Sequence, residues 1–135
     1  MLRWVVKVGS AVLSDPEGGL NRDAVSRIGL QLSRLHQAGE EVILVTSGAV
    51  AAGAARLGWR DKPADLRLKQ LAAAVGQVRL MEAYEDVFSQ QGIIPAQILL
   101  TREDLLNRQR YLNVRTTVMA LLSLKTIPVI NENDS

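Results

Sequence analysis

Three short polar or glycine-rich segments contain the residues best suited to ligand chemistry. They are Lys7-Val8-Gly9-Ser10, Thr46-Ser47-Gly48-Ala49 and Asn131-Glu132-Asn133-Asp134, and each lies at the end of an apolar run. If the three runs are parallel strands of one sheet, their carboxyl ends meet at one edge, where open α/β sheets bind their ligands. The sequence therefore predicts a single ligand site built from all three segments.

Lys7 has two interpretations. An ammonium group is costly to bury without a partner, so a lysine inside an apolar run needs an explanation. Next to Gly9, Lys7 is placed to reach phosphate oxygens while the glycine lets the backbone approach them. Alternatively, Lys7 lies on an edge strand and points into solvent. The surrounding residues do not form a GxxxxGK[ST] phosphate loop, so both interpretations stay open at this point.

The other two segments suit an anion and a cation respectively. Ser47-Gly48-Ala49 opens a helix after a buried strand, and the free N–H groups of a helix start favour a carboxylate. The alternative is an ordinary serine N-cap followed by a turn glycine. Asn131 and Asp134 offer oxygens to a cationic amino group, whereas the alternative for them is a solvated turn.

Alternating strand and helix patterns position these segments. Strands are predicted at residues 3–8, 41–46, 93–100 and 127–130, and the order predicts a parallel sheet with right-handed crossovers. Helices are predicted from an Asn21 N-cap to Gly39, from Ala49 to near Gly58, from Pro63 to before Gly92, and beyond a Thr101–Asp104 capping box.

The third predicted helix has a stripe of large apolar residues that we expect to be buried. A glycine in its middle, Gly76, predicts either close packing or a bend. The stripe consists of Leu68, Leu71, Val75, Val78 and Phe88.

Composition excludes several classes of protein. The chain has 135 residues, a formal net charge of +2 and no cysteine. This charge is too small and too mixed to predict a nucleic-acid partner, and no apolar run approaches the roughly 18 residues of a membrane span. No GxGxxG follows the first strand, which disfavours a nicotinamide-cofactor enzyme. We expect one soluble, cytoplasmic domain.

Four stretches in order, VVKVGSAVL, VTSGAVAAG, KQLAAAVGQ and VINEND, resemble the glutamate 5-kinases of the amino acid kinase family. The resemblance implies a three-layer αβα fold with a mainly parallel sheet. It also implies phosphorylation of the γ-carboxylate of L-glutamate by ATP and Mg²⁺. The product would be glutamyl 5-phosphate, the first intermediate of proline biosynthesis.

The resemblance also assigns roles to individual residues, although it assigns no metal ligand within this chain. Lys7 would be catalytic and would contact the ATP phosphates, supported by the loop of Gly9 and Ser10. Ser47, Gly48 and Ala49 would bind glutamate, and Asn131 and Asp134 would hold its amino end.

Glutamate 5-kinases continue beyond the NEND segment with a second lysine and a nucleotide-binding lobe, and many add an RNA-modification-type domain. We therefore expect residues 1–135 to be the N-terminal, glutamate-binding part of such an enzyme, with a homo-oligomeric assembly and no kinase activity alone. The alternative is a non-catalytic glutamate-binding or assembly module that retains only the acceptor half.

Overall fold

The computed structural model describes residues 1–131 of the chain. Its strands are β1 (Arg3–Val8), β2 (Glu41–Thr46), β3 (Pro95–Leu99) and β4 (Ile127–Asn131). Its helices are α1 (Ser10–Leu13), α2 (Arg22–Gln37), α3 (Ala49–Arg56), α4 (Leu66–Gln90), α5 (Arg102–Leu106) and α6 (Arg108–Ser123). Asp134, which the sequence assigns to the site, lies outside the described residues.

The four strands form one parallel sheet in the order β1-β2-β4-β3. Thr46, the last residue of β2, pairs with Val8 of β1 on one side and with Asn131 of β4 on the other. The carboxyl ends of these three strands therefore lie side by side, which confirms the parallel arrangement on which the predicted site depends.

Helices cover both faces of the sheet, which confirms the three-layer αβα prediction. The larger core lies under α2, α3 and α4, and it includes Leu44 and Val129 from the two central strands. A smaller core on the opposite face joins α6 to Ile43 and Ile98 through Val118 and Leu122.

The predicted buried stripe of α4 is wrong in three positions. Leu68, Leu71 and Val78 are exposed, and the helix instead buries a face rich in small residues. These buried residues are Ala72, Ala73, Gly76, Leu80, Ala83, Tyr84, Val87 and Phe88. The small side chains are buried because α3 packs directly on this face of α4.

Glycines make the crossing of α3 and α4 possible. A Cβ added to Gly76 would overlap the Ala49 carbonyl and the Gly53 amide, and a Cβ added to Gly53 would overlap the Ala72 carbonyl. Of the two explanations for Gly76, the structure therefore shows close packing. The crossing holds the start of α3 at a fixed position against α4.

Helix boundaries follow side-chain caps. Asn21 caps α2 by accepting from the Ala24 amide at 3.0 Å, as predicted. The long helix begins at Leu66 after an Asp65 cap, so its predicted start at Pro63 is wrong.

The predicted Thr101–Asp104 capping box is present, but it caps only α5. The extended backbone of Asn107 then ends α5, and its side chain caps α6 by accepting from the Arg110 amide at 3.1 Å. The single helix predicted beyond Thr101 is therefore two helices.

Candidate functional site

A cavity of about 270 Å³ lies at the carboxyl edge of the sheet, where the first turn of α3 meets the end of β4. Five of the residues singled out from the sequence line it together: Ser10, Ser47, Gly48, Ala49 and Asn131. The structure thus brings residues from all three predicted segments to one place. We call this cavity the edge pocket.

The N-terminus of α3 lacks a side-chain cap, an arrangement that suits an anion. Gly48, not Ser47, is the N-cap residue, with a left-handed φ of 108°, and no side chain caps the helix. Ser47 instead donates its hydroxyl to the Val8 carbonyl at 3.2 Å, which ties the ends of β1 and β2 together. The first backbone N–H groups of a helix have no partner within it, so those of Ala49 and Val50 are available at the pocket wall.

Asn131 presents an unsatisfied acceptor in the pocket. The residue is 3% exposed, and its Oδ1 has no hydrogen-bond partner among residues 1–131. Its Nδ2 donates to Oε1 of Gln77, and Nε2 of Gln77 donates to Oε1 of Gln97 at 2.7 Å. This chain of amides fixes the orientation of Asn131. A buried acceptor left without a partner is costly, and a ligand donor at this position would remove that cost.

A pair of buried hydroxyl groups links the end of β2 to α4. Thr46 is fully buried, and its Oγ1 lies 2.8 Å from the hydroxyl of Tyr84 on α4. Burial raises the pKa of Tyr84, and the hydrogen bond to Thr46 partly opposes that rise. Tyr84 therefore stays neutral near pH 7, and the pair anchors the end of β2 to α4.

Two lysines missed by the sequence reasoning also line the edge pocket. Lys62 comes from the segment that precedes α4, and Lys69 comes from its first turns. Among residues 1–131, no Asp or Glu lines this cavity, so its wall carries positive charge. Lys69 belongs to the KQLAAAVGQ stretch, and only the fold, which brings α4 beside α3, reveals its position.

Lys7 lies outside the edge pocket. It is an exposed residue one position before the end of β1, and its Cα pairs with that of Val45. Alternation along the strand directs Lys7 to the opposite face from buried Val8. Gly9 has open space where a side chain would stand. The assignment of Lys7 and Gly9 to phosphate binding stays a prediction.

Within 1–131, no group of three or more His, Asp or Glu side chains is placed to hold a metal ion. We assign no ligand for Mg²⁺ among these residues. No helix in this part of the chain is long and apolar enough to cross a membrane.

The family model described as the amino acid kinase family matches residues 2–135. The chain belongs to the amino acid kinase family. Within that family it is similar to proteins named glutamate 5-kinase. It is 51% identical to the one from Thioalkalivibrio sulfidiphilus, 52% to that of Bordetella pertussis and 53% to that of Pseudomonas fluorescens strain Pf0-1.

Each of these matches covers 98% of the chain but only 35–36% of the relative. The chain thus spans about a third of the length of these relatives. The edge pocket lies within the part that the amino acid kinases and this chain share.

Proposed function

We propose that this part of an amino acid kinase binds the acceptor of a glutamate 5-kinase, namely L-glutamate. The observation that carries the proposal is the edge pocket. It combines an uncapped helix start and two lysines with the unsatisfied Oδ1 of buried Asn131. Similarity to proteins named glutamate 5-kinase supports the choice of ligand.

The chemistry of the pocket matches the three charged groups of glutamate. Carboxylates are stabilised by helix-start N–H groups and by lysine, both present in the wall. An ammonium group donates hydrogen bonds, and Asn131 Oδ1 is an acceptor that has no donor in the described part of the chain. Asp134 would add the carboxylate that such an ammonium requires.

Phosphoryl transfer from ATP completes the proposed reaction. An oxygen of the glutamate γ-carboxylate attacks the γ-phosphorus of ATP, the bond from that phosphorus to the β,γ-bridging oxygen breaks, and ADP leaves. Lys7 stabilises the negative charge on the transferring group, since such transfers depend on positioning and electrostatics. Mg²⁺ would accompany the nucleotide. The product, glutamyl 5-phosphate, would begin proline biosynthesis in the cytoplasm.

Calorimetric titration of the protein with three ligands tests the acceptor site. L-glutamate has all three charges, L-glutamine lacks the γ-carboxylate charge, and glutarate lacks the ammonium group. A charged hydrogen bond contributes roughly 1.5–3 kcal/mol, so we expect glutamine and glutarate each to bind about tenfold more weakly or worse. Lys69→Gln should weaken glutamate binding similarly, and exposed Lys125→Gln, remote from the pocket, is the matched control. Equal affinities for all three ligands would reject the assignment.

The catalytic role of Lys7 needs a chain with kinase activity. In such a chain we expect Lys7→Ala to lower kcat by about a hundredfold or more, the scale of losing one preorganised electrostatic contact. Glutamate-dependent ADP release also separates the kinase from the non-catalytic binding module. A near-normal kcat in the variant would show that Lys7 has no catalytic role.

A further inference from the structure

Three arginines from three helices line a second cavity of about 380 Å³, which we call the arginine pocket. Arg22 lies in the first turn of α2, Arg56 in the last turn of α3 and Arg79 in the middle of α4. Gly19, Leu20, Ala52 and Ala55 complete the wall. We propose that this pocket binds a small phosphate-bearing anion at a site separate from the edge pocket.

Charge balance is the first argument. Arg22 is paired with Asp86 at 2.9 Å, and both side chains are about half exposed, so the pair leaves N–H donors of Arg22 unused. Within residues 1–131, neither Arg56 nor Arg79 has an ion pair, and no carboxylate lines the cavity. Arg22 and Arg56 are exposed, so water screens the repulsion between the cations, and the gain for a bound anion comes from charge-assisted hydrogen bonds to the unused N–H donors.

The frame of the pocket is the second argument. Gly19 has a left-handed φ of 88°, and a Cβ added there would lie 3.2 Å from the Cβ of Ala55. The loop before α2 is thus packed tightly on α3. The bridge between Ser14 and Leu20 closes this loop. The alanine surface of α3 forms a floor of small side chains, which leaves room for a ligand beneath the longer arginines.

Ligand class follows from the donors. A guanidinium group presents a planar fork of N–H donors that matches phosphate and carboxylate oxygens. Three arginines from three helices offer more donors than one planar carboxylate can use, and they suit a phosphate, whose charged oxygens are spread over a tetrahedron. The small net charge of +2, mixed along the chain, does not favour a nucleic-acid backbone as the ligand.

The two pockets lie on different sides of α3. Ala49, Val50 and Ala51 face the edge pocket, whereas Ala52 and Arg56 face the arginine pocket. A phosphate group bound between the arginines therefore has no contact with the proposed glutamate site. Binding at the two sites is separable by mutation.

The protein is titrated with inorganic phosphate at constant ionic strength. Calorimetry and the ³¹P NMR line width measure the binding. We expect saturable binding that Arg79→Gln and Arg56→Gln each weaken by about tenfold, the scale of one charged hydrogen bond. Arg79→Lys keeps the charge but loses the fork, so it should fall between Arg79→Gln and the unchanged protein. Circular dichroism checks that each variant is folded.

Controls separate this site from other cationic surfaces. Arg34→Gln removes an exposed arginine of α2 outside the pocket, and Lys125→Gln removes an exposed lysine that lines neither pocket. Both should bind phosphate like the unchanged protein. A parallel titration with glycerol 3-phosphate distinguishes a free phosphate ligand from a phosphomonoester, whichever binds more tightly.

Three results would overturn the proposal. The first is no saturable binding of either probe. The second is binding that survives both Arg56→Gln and Arg79→Gln. The third is an equal loss of binding in Arg34→Gln or Lys125→Gln, which would assign the effect to general charge.

Discussion

Asn131 owes its orientation to Gln77, a residue of α4 that lies outside the three predicted segments in the sequence. The Gln77 side chain accepts from Asn131 Nδ2 and donates to Gln97, so Asn131 Oδ1 is left for a ligand. The sequence supports Asn131 as a candidate because it follows an apolar run. It contains no pattern that links residues 77 and 131, since their contact depends on how α4 crosses the sheet.

We predict that Gln77→Leu weakens glutamate binding by about tenfold through loss of this orientation. Leu keeps a similar volume but cannot accept the hydrogen bond of Asn131. Gln77→Glu keeps an acceptor for Asn131 Nδ2 and should retain most of the affinity. Calorimetry measures both variants, with exposed Gln31→Leu as the control. Equal weakening by Leu and Glu would show that Gln77 does not orient Asn131.

His36 gives the fold a pH dependence. It lies in the last turn of α2, partly buried, in a small cavity shared with Lys125, Glu40 and Glu41. Burial lowers the pKa of His36 below its usual value, and repulsion by Lys125 adds to the effect. As pH falls, His36 therefore becomes protonated at a higher pH in the unfolded chain than in the folded protein. His36 should leave the free energy of unfolding unaffected above about pH 6.5 and reduce it as pH falls below that value.

We predict that His36→Gln flattens the decline in the free energy of unfolding between about pH 7 and pH 5. Urea denaturation followed by circular dichroism at several pH values measures this slope. The same slope in the variant and in the unchanged protein would assign the decline to other groups.

The crossing of α3 on α4 sets the position of the edge pocket. Close packing through Gly53 and Gly76 holds the first turn of α3, and hence its free N–H groups, at the sheet edge. The two helices also contribute both sides of the edge pocket, because Lys69 lies on α4 and Ala49 on α3. Packing and binding therefore share the same pair of elements.

We predict that Gly76→Ala destabilises the fold by about 1–3 kcal/mol or more, because its Cβ would overlap the Ala49 carbonyl. Separating the helices should also displace the start of α3 and weaken glutamate binding. Gly9→Ala is the stability control, since its backbone is ordinary and the space beside it is open. Urea denaturation measures the free energy of unfolding. A neutral or stabilising Gly76→Ala would show that the helices can separate without cost.

The same crossing explains which elements were predictable. Strand positions and the Asn21 cap were readable because apolar runs and cap residues act locally. The buried face of α4 could not be predicted from the sequence, because helical spacing favoured large residues such as Leu68 and Leu71. Small residues such as Ala73 form the buried face instead, and helical spacing alone does not show that a second helix packs on them.

At the scale of the whole molecule, large apolar side chains remain on the surface. Val5 on β1, Leu99 on β3 and Leu106 on α5 are 65%, 62% and 76% exposed. Strands at the edges of a sheet also present backbone groups to other chains. We predict that the 135-residue protein self-associates, and that Leu106→Glu reduces this. Sedimentation velocity over a concentration series measures it, and a monomer at all concentrations would contradict the expectation of a homo-oligomer.

Topology explains why a site was predictable while its full chemistry was not. Parallel strands bring segments distant in sequence to one edge, so Ser10, Ser47 and Asn131 were identified together. Lys62 and Lys69 were missed because their segment follows no strand. The arginine pocket was missed for the same reason, since its three cations come from three separate helices.

An NMR titration of the ¹⁵N-labelled protein with L-glutamate would show whether the edge pocket binds glutamate at the start of α3. We predict saturable shifts of the backbone amides of Ala49 and Val50 and of the side-chain amide of Asn131, while amides near His36 stay unchanged. No saturable shift at the first turn of α3, or shifts confined to other surfaces, would rule out glutamate binding in the edge pocket.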